Sequence, residues 1–479
     1  MTTEDRQPDT EHPSAKHGTD LTTGSIPRHL IAFSIPMLAG SALQTAYSIV
    51  NAIWVGKGLG TAAMAAVTVS MPIFFFLMAI AAGLTMASGI LAAQSFGAKD
   101  FDQLRRVVRN STVLIAVISV ILSGIGHFLA THMLMIMNTP REVLAIASEY
   151  LQIFLWSMPF MFGLFLIASL LRGVGDSKTP LYFQAAGVAV TAVLDPILMF
   201  GWLGFPRMGL NGTAVATIFT NAAALVAVLY YLHGKRHLVA PDWRRLGVDR
   251  EMSWLTLRIG VPSMLQQALV SIGMVVITGL VNAFGKDGMA AFGAAMRIDQ
   301  LAFMPAMTLG MAVSTLAGQN IGAQRHDRVK ETFKWGMIFG CGITLLASAL
   351  AITCPAFLMR AFIDDPKVVA MGIPYLHIVG GAYVLFAVMF VANGVINGAG
   401  HTMITTAITL IALWGVRVPI ASYLSHSMHS IEGVWYGMAI GFSSGALMSL
   451  AYYLSGRWKK PIVRKSPVPA EPEAMPMAE

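Results

Sequence analysis

Charged side chains are scarce: they make up 12% of the chain, about half the share of a soluble globular protein. Cysteine is nearly missing. Cys341 and Cys354 fall in one apolar stretch, about 20 Å apart if that stretch is helical, which is beyond disulfide reach. No cysteine framework or zinc spacing is available. The phosphate-loop pattern GxxxxGK[ST] is absent, and the nearest segment, GVGDSKT at 173–179, has the wrong spacing, which argues against ATP hydrolysis. There is no HExxH, no Gly-x-Ser-x-Gly and no pair of catalytic carboxylates. The histidines form no metal-ligand pattern. These absences argue against an enzyme, and neither a cofactor nor a structural metal is expected.

What the chain has in abundance is apolar sequence: 56% hydrophobic residues and a mean hydropathy of +0.66. That identifies a polytopic membrane protein. A membrane-crossing helix needs about 20 mainly apolar residues. Twelve such stretches are readable, at 29–56, 62–94, 105–132, 143–172, 179–204, 210–233, 254–284, 288–320, 328–356, 369–397, 402–425 and 433–456. The first 27 residues are polar, without the apolar core of a cleavable signal, and are expected to be a disordered tail. So is the segment from Arg457 onward, basic and then rich in proline and glutamate. The net charge of +8 is clustered in loops, so it reads as topology rather than as a nucleic-acid surface. Both tails and the even-numbered loops hold 24 of the 32 lysines and arginines; the opposite side holds six, and Arg297 and Arg417 lie inside spans. The positive-inside rule then places both termini in the cytoplasm, in a bacterial-type inner (plasma) membrane.

The chain repeats itself. Gln94, Gly97 and Ala98 recur as Gln319, Gly322 and Ala323, at an offset of 225. The same offset carries Gly173 and Gly175 onto Gly398 and Gly400. Taken singly, Gly97 and Gly322 read equally well as helix C-caps; their recurrence at one offset argues for duplication. The expected architecture is all-α: 12 transmembrane helices in two pseudo-symmetric six-helix lobes around a central cleft. The lobes would span 28–233 and 259–456, joined by a basic linker at 234–258.

Acidic residues inside spans are costly in lipid and therefore point to function. Glu149 and Glu432 read as span-edge residues. Asp299 lies two residues from Arg297, as a structural ion pair or part of a polar cleft wall. Asp195 is the stronger candidate, since it sits in AVLDPILMFG directly before Pro196. That proline frees the carbonyl of Ala192 and is expected to break the fifth helix. Gln184, Thr191 and Asp195 share one helical face. So do Gly40, Gln44, Ser48 and Asn51 in the first span, and Thr213, Thr217 and Thr220 in the sixth. The bland alternative for the hydroxyls is interhelical hydrogen bonding. The second lobe offers an uncharged stripe, Gln267, Ser271 and Thr278, and a tenth span with Tyr383, Phe386, Phe390 and Asn393. The 31 methionines suit a wall that tolerates varied apolar ligands, although any single one is better read as packing.

The ordered set P…Q…Y…N…WVG, AQSFGA, LRGVGDSKTP, LDPILMFG…GLNGTAVAT and GQNIGA, from Pro27 to Gly456, resembles the multidrug and toxic compound extrusion (MATE) transporters, in the branch that includes the DNA-damage-inducible type. The resemblance implies an antiporter that exports small organic, often cationic compounds against a proton or sodium gradient. It implies ion coupling at Asp195, with Thr191 and Asn51 at the positions of its polar partners. Asn51 departs from the aspartate usual there, so Asp195 is the one first-lobe acid, and the reading favours protons over sodium, with Na⁺ at Asp195 as the alternative. Gln44, Tyr47, Ser48, Gln184, Thr213, Thr217, Gln267, Arg297, Asp299, Phe390 and Asn393 are the candidate substrate contacts, and Pro36 and Pro196 the candidate hinges. A carboxylate held away from water can trade a proton for a cationic substrate as the lobes rock. The expected partners are small organic molecules and the lipid bilayer, with no nucleic acid, and a monomer. Two alternatives are weighed. A lipid-linked precursor flippase of the same superfamily would want a strongly basic cavity, and only Arg297 and Arg417 lie in spans. A receptor or scaffold would want a folded soluble domain, for which the tails are too short.

Overall fold

A computed structural model describes residues 18–245 and 247–460, and among them every regular element is helical. Residues 1–17 and 461–479, most of the two expected tails, lie outside the described residues. Ten helices are long and apolar enough to cross a membrane, and two bent pairs bring the number to twelve. In order these spans are Ile26–Leu59, Thr61–Gly97, Phe101–Ile136, the pair Arg141–Leu155 and Met158–Gly173, Lys178–Phe200, Leu210–Gly234, Arg250–Asn282, Gly285–Gly322, His326–Thr353, the pair Pro366–Gly381 and Tyr383–Gly398, Thr402–Ser427, and Glu432–Leu454.

Proline chemistry explains one bend and corrects one expectation. The fourth span bends by 48° between Leu155 and Met158, just before Pro159. That proline cannot donate to the carbonyl of Leu155. Ser123 of the third span does so instead, at 2.7 Å, so the freed acceptor is satisfied inside the bundle. The tenth span bends by 41° around Ala382. By contrast, the first and fifth helices run uninterrupted through Pro36 and Pro196. The fifth helix is therefore not broken at Pro196. The helix has only four residues left before its left-handed cap at Gly201, and a single missing bond that close to the end does not stop it. The expected linker also shortens. The seventh helix starts at Arg250 rather than after 258, because Asp249 caps it, its carboxylate accepting from the Met252 amide at 3.1 Å.

The duplicated residues meet each other across the lobe interface, at the end of the bundle that carries the basic loops. Gln94 Nε2 donates to the carbonyl of Gly398 at 2.8 Å, and Gln319 Nε2 donates to the carbonyl of Gly173 at 2.9 Å. A Cβ at Gly97 would stand 1.9 Å from the Gln319 carbonyl oxygen, and one at Gly322 would stand 2.0 Å from that of Gln94. The capping reading of these glycines is thus corrected. The left-handed residues that end the two helices are Lys99 and Gln324, and Gly97 and Gly322 are where two backbones touch. Nearer the middle, Gly83 and Gly260 let the second and seventh helices approach in the same way.

Residues 18–25 of the expected tail form a short strap laid over this closed end. The Thr19 amide donates to Val174 O in the first lobe at 3.0 Å, and the Leu21 amide donates to Gln319 Oε1 in the second at 3.0 Å. Arg325 and Arg328 donate to strap carbonyls, and the Leu21 side chain is buried. At the opposite half the first and seventh helices are open around much of their circumference, with Gln44, Ser48 and Ile49, and Gln267, Val270 and Val275, all exposed.

Candidate functional site

Asp195 lies one turn before the end of the fifth helix and is 1% exposed. The fifth helix can approach the first because Gly40 has no side chain. A Cβ there would meet Gln184 Oε1 at 2.7 Å, and Gln184 Nε2 instead reaches the Gly40 carbonyl at 3.3 Å. Farther along, the first helix supplies two donors one turn apart. Tyr47 Oη and Asn51 Nδ2 each donate to Asp195 Oδ2 at 2.9 Å. Oδ1 is buried and has no hydrogen-bond partner. One oxygen of the carboxyl is therefore held twice and the other is held by nothing.

The other first-lobe candidates do not converge on this carboxyl. Thr191 donates to Gly187 O, Ser48 to Gln44 O, Thr213 to Leu210 O and Thr217 to Thr213 O. Each hydroxyl satisfies a carbonyl of its own helix, as threonine and serine do inside apolar helices. Gln44, Ser48 and Gln184 are exposed polar positions. Tyr47, expected only as a substrate contact, is a direct partner of Asp195. Tyr150 was missed. It is buried in the fourth span, interacts with Thr213 and lies in the field of Asp195. In sequence it is one more aromatic on an amphipathic helix, and nothing distinguishes it from core.

In the second lobe the expected Arg297–Asp299 pair does not form. Two residues apart on the eighth helix, they point to opposite sides, about 200° from each other: Arg297 is exposed and Asp299 is buried. Asp299 is enclosed by tyrosines. Tyr375 Oη donates to its Oδ2, and Tyr383 Oη donates to its Oδ1 at 2.5 Å. Both oxygens are satisfied, in contrast to Asp195. Asn393 accepts from Ser449 Oγ at 2.8 Å, Phe390 packs beside Phe386 at 4.5 Å, and Gln267 is exposed. Among the described residues no group of three or more His, Cys, Asp or Glu side chains comes together. A cation at Asp195 would find one free carboxylate oxygen amid neutral groups.

Three comparisons bear on this arrangement. A family model described as MatE matches residues 36–197 and again 262–423, one match in each lobe. The chain is 33% identical, over 92% of its length and 96% of the relative's, to the probable multidrug resistance protein YoeA of Bacillus subtilis. It is 26% identical, over 91% and 94%, to the probable multidrug resistance protein NorM of Thermotoga maritima. A solved structure described as an outward-facing conformation of a multidrug resistance MATE family transporter superposes with a TM-score of 0.84 at 25% identity, covering 92% of this chain and 99% of that one.

Proposed function

The chain belongs to the MatE family, and on that premise we propose that it is a secondary active antiporter that exports organic, drug-like cations in exchange for protons. The names of its relatives as multidrug resistance proteins support the substrate class. The sequence motifs favour the DNA-damage-inducible branch. The distribution of basic residues supports a cytoplasmic position for the closed, strap-covered end, and the cleft would then open outward. The two lobes would rock between this state and an inward-open one, with the cleft complete in a single chain.

One observation carries the coupling assignment: Asp195 is buried with Oδ2 held by Tyr47 and Asn51 and with Oδ1 free. An ionised carboxylate wants donors on both oxygens, whereas a protonated one holds its proton on the oxygen that lacks them. The site therefore suits a carboxyl that gains a proton at Oδ1 from the outside and gives it up when the lobes reverse. A sodium ion would have one carboxylate and neutral groups only, since Asn51 brings no second charge. The proton is the better fit.

The test is Asp195→Asn in proteoliposomes. Export of a fluorescent cationic dye driven by a pH gradient is expected to fall to the empty-vesicle rate, with folded protein retained in the bilayer. Undiminished proton-driven export by that variant would sink the assignment. Export that follows a sodium gradient without a pH gradient would replace the proton with sodium.

A further inference from the structure

The guanidinium of Arg417 stands inside the second lobe without an acid. It ends a seven-residue π-helix, Ile411–Arg417, in the eleventh span, and π-helical turns gather at functional sites. Among the described residues, ion pairs within 4 Å are made by Arg105 and Arg106 and not by Arg417. Its Nε is buried without a hydrogen-bond partner, and its guanidinium carbon lies 4.1 Å from the centroid of the Phe442 ring. Room for it is made by Gly441, where a Cβ would stand 2.7 Å from Nε. The buried acid of this lobe, Asp299, is already taken by Tyr375 and Tyr383. A cation in an apolar bundle is costly unless something meets its charge, and a cation–π contact offsets only part of that cost.

Phe442 is also one end of an aromatic wall. Its ring lies 5.2 Å from Phe386, which stacks on Phe303 at 3.8 Å and touches Phe390 at 4.5 Å. Phe390 is partly exposed on the tenth span. The repeat adds an independent observation. The offset of 225 carries Arg417 onto Ala192, about one turn from Asp195. Arg417 lies about 23 Å along the eleventh helix and Asp195 about 26 Å along the fifth, each measured from the same end of its lobe. Equivalent helices thus carry, at matching depth, an unpaired guanidinium in one lobe and a half-satisfied carboxyl in the other.

We propose that Arg417, with the Phe442–Phe386–Phe390 wall, is an anion subsite that takes the carboxylate of an aromatic zwitterion whose cationic end faces the first lobe. This assigns a residue-level anion subsite within the export reading above and rests on that reading for transport. Binding is measured separately, so that either can fail alone.

The probes are rhodamine B, an aromatic zwitterion, and its methyl ester, which keeps the rings and the cation but has no carboxylate. Their binding to the purified chain in lipid nanodiscs is read by fluorescence anisotropy. A charge-assisted contact predicts that Arg417→Gln weakens the acid roughly tenfold or more, leaves the ester within about twofold, and that Arg417→Lys recovers part of the loss. Equal weakening of both dyes, no weakening of the acid, or a wild type that does not bind the acid overturns the subsite. If the glutamine variant does not fold, benzoate displaces the probes from the wild type: release of the acid but not the ester is expected, and release of both or neither overturns the proposal. An acid that binds through Arg417, with neither dye exported by proteoliposomes, leaves the subsite standing and removes the export reading instead.

Discussion

The backbone of Gln319 occupies the space that a side chain at Gly97 would need. A Cβ there would lie 1.9 Å from the Gln319 carbonyl oxygen, and the symmetric position, Gly322, would meet Gln94 at 2.0 Å. Real atoms do not approach so closely, and the obstacle on each side is main chain rather than a movable side-chain tip. The clasp Gln94–Gly398 and Gln319–Gly173 closes only because both positions are glycine. Gly97→Ala should therefore hold the basic-loop end apart. Spin labels at Lys99 and Gln324, on a background without Cys341 and Cys354, are expected to move apart by several ångströms, and proton-driven export to fall about tenfold or more. Gly342→Ala, where nothing lies within 4 Å, serves as the control. A distance distribution for Gly97→Ala that matches the wild type would show that the contact does not set closure.

The strap adds a second element to the same closed end, because it bonds one lobe through Thr19 and the other through Leu21. Opening this end must break at least one of those bonds and expose the Leu21 side chain. Leu21→Asp is expected to favour the state open at the basic-loop end, read as faster hydrogen exchange at the amides of 173–176 and 320–325. Unchanged exchange at both segments would show that the strap follows the lobes without holding them.

Much of this was legible in the sequence, for physical reasons that differ between levels. Twelve spans follow from apolar length alone, and the duplication from an offset that joins Gln94 to Gln319 and Gly173 to Gly398. Asp195 was visible because a carboxyl in lipid is rare. What the sequence did not show is which surface each residue meets. Gly97 reads as a cap until the partner backbone is placed. Asp299 reads as a partner of Arg297 because they are two residues apart, although a helix turns such neighbours about 200° from each other. Threonine hydroxyls look like site groups until they bond to their own helix. Tyr375 and Tyr383 lie 76 and 84 residues from Asp299 in the chain, and no local pattern joins them.

Tyr47 and Asn51 divide the holding of Asp195 Oδ2 between them. Removing the Tyr47 hydroxyl leaves the ring's packing and deletes one bond to a carboxyl. Hydrogen bonds to charged groups contribute about 1.5–3 kcal/mol, so Tyr47→Phe is expected to lower proton-driven export roughly tenfold and to lower the unfolding temperature as well. Asn51→Ala should do the same through the second donor. If the Phe variant transports at the wild-type rate across pH 6 to 8, the tyrosine bond is not part of coupling.

The bend in the fourth span makes a stability prediction that is independent of transport. Ser123 Oγ supplies the bond that Pro159 denies to the Leu155 carbonyl. In Ser123→Ala that carbonyl is left buried without a donor, which costs about 1–3 kcal/mol. Restoring a donor at residue 159 with Pro159→Ala should recover most of the loss, since the amide can then close the helix by itself. Thermal unfolding of the two single variants and the double variant reads this directly, and a double variant no more stable than Ser123→Ala would refute it.

Arg106 and Asp249 tie the third helix to the start of the seventh. Arg106 Nη2 and Nε reach Asp249 Oδ2 at 2.6 and 3.0 Å, while Oδ1 caps the seventh helix through Met252. The hydrogen bond from Arg106 holds the Asp249 carboxyl below the usual carboxylate range. The folded state therefore binds this proton less readily than the unfolded state. Its contribution is complete above the unfolded value of about 3.9 and is lost as pH falls through the lower folded value. Asp249→Asn keeps a capping oxygen and removes the charge, so the difference between the two proteins isolates the ion pair. With Arg106 40% exposed, water screens the pair, and the wild type is expected to unfold only on the order of 1–2 °C higher at pH 6. That gap should begin to shrink as pH falls below about 4, because the unfolded carboxyl then takes up a proton that the folded one still refuses. A gap that stays constant to pH 3 would assign it to capping, and a gap that widens in acid would reverse the sign of the linkage.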